Sequence, residues 1–75
     1  MAKAYYYILD HLNAENAEAL KKALRASPIV SGVETRVRQG VLEVSASKDP
    51  LPAVKMACEI AGVGFRMTIK KKDVF

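Results

Sequence analysis

The stretch Tyr5-Tyr6-Tyr7-Ile8-Leu9-Asp10-His11-Leu12-Asn13-Ala14-Glu15-Asn16-Ala17-Glu18-Ala19-Leu20 changes its period half-way along. Tyr5 to Leu9 is aromatic and aliphatic, the composition of a half-buried pleated strand. From Ala14 to Ala26 the residues become alanine, leucine, glutamate and lysine, with Ala17, Leu20 and Leu24 recurring at helical spacing. Asn13 is a natural N-cap, and Asn16 falls at the third helical position, where it can help hold the capping turn. Glu15 and Glu18 suit the positive end of the helix dipole and Lys21, Lys22 and Arg25 the negative end, before Pro28 stops the helix. A strand thus passes into a capped helix through a loop of a few residues.

Downstream, Val33 to Arg38 alternates Val33, Thr35 and Val37 against Glu34, Arg36 and Arg38. After Gln39-Gly40, Val41 to Ser47 alternates again, with Leu42, Val44 and Ala46 on one face, so the two segments predict a hairpin. Asp49-Pro50 supplies a capping residue and a proline for the first helical position of a second helix, whose apolar stripe is Leu51, Val54, Ala57, Cys58 and Ala61. Gly62 and Gly64 end it, and Phe65, Met67 and Ile69 alternate with Arg66, Thr68 and Lys70 as a last strand.

The order strand, helix, strand, strand, helix, strand is the split βαβ pattern. It predicts an α+β, ferredoxin-like βαββαβ sandwich: a four-stranded antiparallel sheet with two helices on one face, formed by residues 1–75 as a single domain. A chain this short buries only about 60% of its unfolded surface and cannot support two cores. Alternation places Tyr5, Tyr7, Leu9 and His11 under the helices and Tyr6, Ile8 and Asp10 on the open face. Tyr6, Arg36, Arg38, Arg66 and Lys70 then gather on that open face, countered by Glu34 and Glu43.

No run approaches the roughly 20 apolar residues of a membrane-spanning helix. The start, Met1-Ala2-Lys3-Ala4-Tyr5, has no secretory pattern, so the expectation is a cytoplasmic chain. One cysteine, Cys58, rules out an internal disulfide and a structural zinc site of several thiolates. It stands on the apolar stripe of the second helix, as a small buried hydrophobe would. Met56 and Met67 are separate in the fold and read as packing filler. The net charge of +4 owes much to Lys70-Lys71-Lys72, a solvated end. One histidine and no glycine-rich phosphate loop give no catalytic constellation, so no enzymatic activity is expected.

The segment Leu9 to Leu20 resembles the first strand, metal loop and helix start of heavy-metal-associated (HMA) domains, the copper chaperones and the N-terminal modules of metal-pumping ATPases. The likeness continues in Ala23-Leu24, Gly32-Val33, Val37, Leu42 with Val44, and Ala61-Gly62, and so covers nearly the whole chain. In that family the loop carries a methionine, one further residue, and two cysteines separated by two residues. The corresponding positions here are His11, Leu12, Asn13 and Asn16. Soft copper(I) prefers thiolates, and a neutral carboxamide is a hard, uncharged donor, so no thiolate metal site is expected at Asn13 and Asn16 and no cofactor is assigned. The resemblance makes His11 a core-edge histidine with a hydrogen-bond partner.

Three functions follow in order of preference. The first is a protein-interaction module that docks through Asn13, Asn16, Lys21, Lys22 and Arg25 on a metal transporter or chaperone, or pairs with itself along an edge strand. The second is weak copper or zinc binding through His11 with Asp10 or the N-terminal amine, although adjacent strand residues point to opposite faces. The third is single-stranded RNA binding on the open sheet through Tyr6, Arg36, Arg38 and Arg66. That function is disfavoured by the lack of an aromatic residue from Val41 to Ala46.

Overall fold

The computed structural model describes residues 3–69. Six elements follow in order: β1 (Lys3–Asp10), α1 (Ala14–Arg25), β2 (Val30–Arg36), β3 (Val41–Ala46), α2 (Leu51–Ala61) and β4 (Gly64–Ile69). The strands form one antiparallel sheet in the order β2-β3-β1-β4, the split βαβ topology read from the sequence. Each helix reverses the direction of the strand before it, so α1 and α2 run antiparallel to one another.

Both helices turn their apolar stripes onto the same face of the sheet. Leu20 and Leu24 from α1 and Val54, Ala57 and Cys58 from α2 pack on Tyr7, Leu9, Val33, Leu42, Val44 and Ala46. Tyr7 is fully buried, with its ring centroid 5.9 Å from that of Phe65. Burying each such aliphatic or aromatic side chain contributes roughly 1.5–3 kcal/mol, the main stabilising term in a core this small. Gly62, at φ 74, closes α2 in a left-handed turn in which the Val63 N–H donates to the Cys58 carbonyl at 2.9 Å.

Several details differ from the sequence reading, each for a local reason. β2 starts at Val30 and stops at Arg36, because Val37–Gln39 form one 3-10 turn. Gly40 closes that turn at φ 67, and its carbonyl accepts the Leu9 N–H at 2.8 Å, tying the hairpin to the end of β1. Val37 is therefore exposed rather than part of the core, and Arg38 lies on the turn rather than on a strand. At the second helix, Asp49 Oδ1 accepts the Leu51 N–H at 3.0 Å and Pro50 precedes the first helical residue.

The largest departure is in β4. Its pairing with β1 shifts by one residue between Ile8 and Leu9: Phe65 lies opposite Leu9, but Met67 lies opposite Ile8 and Ile69 opposite Tyr6. Arg66 is the extra residue of a β-bulge, and directly opposed residues share a face. Phe65 therefore joins the core, whereas Met67 and Ile69 move to the open face with Tyr6 and Ile8, and Thr68 turns to the helix side. Lys70 and the lysine run that follows it lie outside the described residues.

Candidate functional site

The β1–α1 loop is built from backbone constraints at both ends. On the strand side, His11 adopts φ 63, the left-handed region that costs a non-glycine residue roughly 1 kcal/mol and that histidine enters more readily than most. On the helix side, Asn13 is extended at φ −140 and ψ 175, the conformation of an N-cap.

Three hydrogen bonds hold the turn between them. The Asn16 N–H donates to Asn13 Oδ1 at 2.8 Å, and the Asn13 N–H donates to Asn16 Oδ1 at 2.8 Å, a reciprocal capping box. Asn16 Nδ2 then donates to the His11 carbonyl at 2.7 Å, fixing the strained residue. Both carboxamide oxygens accept backbone N–H groups that the helix start would otherwise leave unpaired. A small polar hollow of about 280 Å³ lies beside the loop, lined by Asn13, Glu15, Asn16, Ala19 and Ala61.

His11 is exposed, not packed beneath the loop as the resemblance implies. Its left-handed backbone takes the side chain out of the strand alternation that would have carried it under the helices. Asp10 is also engaged elsewhere: its Oδ1 is 3.2 Å from Arg66 Nε. Cys58 is buried on α2, and burial pushes its thiol up, away from the thiolate that a metal would need. A soft metal ion does not fit this donor set: the two loop side chains are neutral and committed to the capping turn, and the thiol is sealed in the core.

The remaining candidate residues are scattered. Lys22 and Arg25 are exposed in the second half of α1, about 14 Å and about 18 Å from Asn13 at the helical rise. Lys21 is partly buried, with its Nζ 3.9 Å from Glu18. Arg36 and Arg66 stand on the two opposite edge strands, one 4.0 Å from Glu43 and the other paired with Asp10. Tyr6 lies on the open face of the central strand β1 and is buried at 5% exposure, so its ring is no stacking platform for a base. The loop and the basic residues of α1 do not converge on one site; on the open sheet Glu43, directly opposite Tyr6, lies 4.0 Å from Arg36, while Arg66 pairs with Asp10 at the other edge.

Sequence reasoning missed a second feature. Met56 and Ile60 are 65% and 69% exposed, one helical turn apart on α2. They flank an apolar groove of about 350 Å³ between α1 and α2. Met67 is also exposed, on the opposite side of the molecule, so neither of these methionines fills the core. The signal for the ridge was present: Met56 and Ile60 are large apolar residues that fall outside the stripe of α2.

No protein-family model matches the chain, and no curated protein does. Among solved structures, the NMR solution structure of a ZiaAN sub mutant superposes with a TM-score of 0.63, covering 89% of this chain and 99% of that one at 19% identity. The fold is ferredoxin-like. At that identity the likeness concerns the fold alone. No helix among the described residues is long and apolar enough to cross a membrane.

Proposed function

We propose that this chain is a non-catalytic, HMA-like protein-docking module whose metal loop has become a fixed capping turn. The carrying observation is the reciprocal Asn13–Asn16 bonding, which commits both ligand-position side chains to the backbone of their own loop. The shared fold and the placement of that loop at the junction of β1 and α1 support the HMA-like part of the reading. In it the partner is a metal transporter or chaperone, approached through the loop and the exposed side of α1 without transfer of an ion. Because Lys22 stands about 14 Å and Arg25 about 18 Å from Asn13, such a partner contacts α1 along its length.

The test is a copper(I) titration of the reduced protein against a colorimetric chelator, run beside the Asn13→Cys, Asn16→Cys double variant. Failure of the natural chain to compete, with competition by the double variant, supports a metal-ready fold that has given up its metal. Competition by the natural chain overturns the reading, and a His11→Ala arm then reports whether the exposed imidazole supplies the site. Pull-down of a metal transporter's cytoplasmic domain, lost on Asn16→Asp with Lys22→Glu, tests the docking half.

A further inference from the structure

The strand and helix ends sort the charges of the molecule. Lys3, the first residue of β1, lies opposite Ala46, the last of β3, and exposed Lys48 follows Ala46 by two residues. Beside them the Ser47 N–H donates to the Ile29 carbonyl at 2.9 Å, which brings in the loop that leaves α1. The last turn of that helix carries Lys22 and Arg25, both exposed. One end of the molecule therefore gathers Lys3, Lys22, Arg25 and Lys48. The only carboxylate that the described residues place there is Asp49, whose Oδ1 accepts the Leu51 N–H at 3.0 Å. β4 runs toward the same end, and the sequence after Ile69 continues Lys70-Lys71-Lys72, outside the described residues.

The opposite end is mixed. Asp10, Glu15 and Glu59 stand there, at the end of β1, the start of α1 and the end of α2, against Arg38 on the β2–β3 turn and Arg66, which pairs with Asp10 at 3.2 Å. The 7 residues of β2 span the distance between the two ends, about 23 Å. That is more than twice the Debye length of about 8–10 Å at ordinary salt. An external charged surface thus meets one end of the molecule largely screened from the other.

We propose that the basic end is an adsorption surface for anionic lipid headgroups. Three of its four cations, Lys3, Lys22 and Lys48, are lysines, hydrated point charges on flexible stems that attract an anionic surface without a fixed partner geometry. The exposed large hydrophobic residues, Val37, Met56, Ile60 and Met67, all lie elsewhere, so nothing among the described residues at this end inserts into the acyl region. Among the described residues the same end exposes no aromatic ring on which a base could stack. It is built of turns and element ends, with no projecting helix to enter a groove. Those features favour a flat anionic surface over a nucleic acid. Attachment is therefore peripheral, reversible and salt-dependent, each basic residue near the surface raising partitioning about fivefold. The inference is independent of the docking reading, because its test uses Lys3 and Lys48, which take no part in that one.

The experiment is co-sedimentation of the full chain with vesicles of phosphatidylcholine alone and with vesicles that also hold about 30 mol % phosphatidylserine, which sets up a negative surface potential. The expected result is binding to the anionic vesicles only, weakened about tenfold or more between about 0.1 M and about 0.5 M salt. Lys3→Ala with Lys48→Ala should weaken it about 25-fold, about fivefold for each residue. Arg38→Ala with Arg66→Ala removes the same charge at the far end and should change binding less than about twofold. All four side chains are exposed, so the circular dichroism should be unchanged in both double variants. Equal losses in the two double variants reduce the effect to net charge and overturn the inference. Equal binding to neutral vesicles, or binding to neither, overturns it as well. A DNA duplex that binds more tightly than the vesicles at equal anionic charge, and releases on Lys3→Ala with Lys48→Ala, assigns the end to nucleic acid and overturns the lipid reading.

Discussion

Removing the two loop asparagines, singly and together, tests the geometry on which the functional reading stands. Asn13→Ala deletes the acceptor for the Asn16 N–H, and loss of an N-cap costs about 1 kcal/mol. Asn16→Ala deletes two exposed hydrogen bonds, each contributing about 0.5–1 kcal/mol, and recovers about 0.5 kcal/mol from the better helix propensity of alanine. Its net cost is also about 1 kcal/mol. The bonds define a single turn, so losing one loosens the other; the double variant should be more stable than additivity predicts, by about 0.5 kcal/mol. Against a total near 5 kcal/mol for a small domain, each single change lowers Tm by about 4–8 °C. Urea unfolding followed by far-ultraviolet circular dichroism measures all four corners of the cycle. Single variants within about 0.3 kcal/mol of the natural chain, below the typical cap contribution, would refute a locked loop and leave those carboxamides free for a ligand. The cysteine double variant loses all three bonds, so it should be the least stable of the set without metal and recover by mass action when copper(I) binds.

Tyr7 gives a pH-dependent test. Its hydroxyl is buried without a hydrogen-bond partner among the described residues, and burial first, then Asp49 and Tyr5, push its ionisation well above the ordinary value. The unfolded chain ionises near pH 10 while the folded one keeps its proton, so Tyr7 lowers stability as pH rises above about 10 and has no such effect below it. Tyr7→Phe should gain about 1 kcal/mol at pH 7 and lose that part of the alkaline slope, both readable by denaturation at several pH values. Gly40→Ala should cost at least about 2 kcal/mol, since it adds a left-handed penalty to a Cβ lying 2.9 Å from the Leu9 carbonyl; a loss under 0.5 kcal/mol would show that the turn relaxes. Cys58 should react with maleimide only through opening of the fold, so labelling should accelerate steeply with urea; fast labelling in buffer contradicts its burial.

The fold was legible because its signals are local and repeated. The switch from Tyr5–Leu9 to Ala14–Ala26, the alternation of Leu42, Val44 and Ala46, and the α2 stripe each agree with the topology that unites them. What the sequence concealed was set by pairing rather than by pattern. The bulge at Arg66 moves Met67 and Ile69 across the sheet, and nothing in Phe65-Arg66-Met67-Thr68-Ile69 distinguishes a bulged strand from a regular one. Tyr6 is buried although alternation puts it on the open face, while Ile8, two residues on in the same strand, is only half-buried, a difference that alternation does not encode. His11 left the core because of a backbone angle fixed by a hydrogen bond from Asn16, five residues away. The site itself was half legible: the cap at Asn13 and its partner at Asn16 follow from spacing, but their distance from Lys22 and Arg25 appears only once α1 is a straight rod.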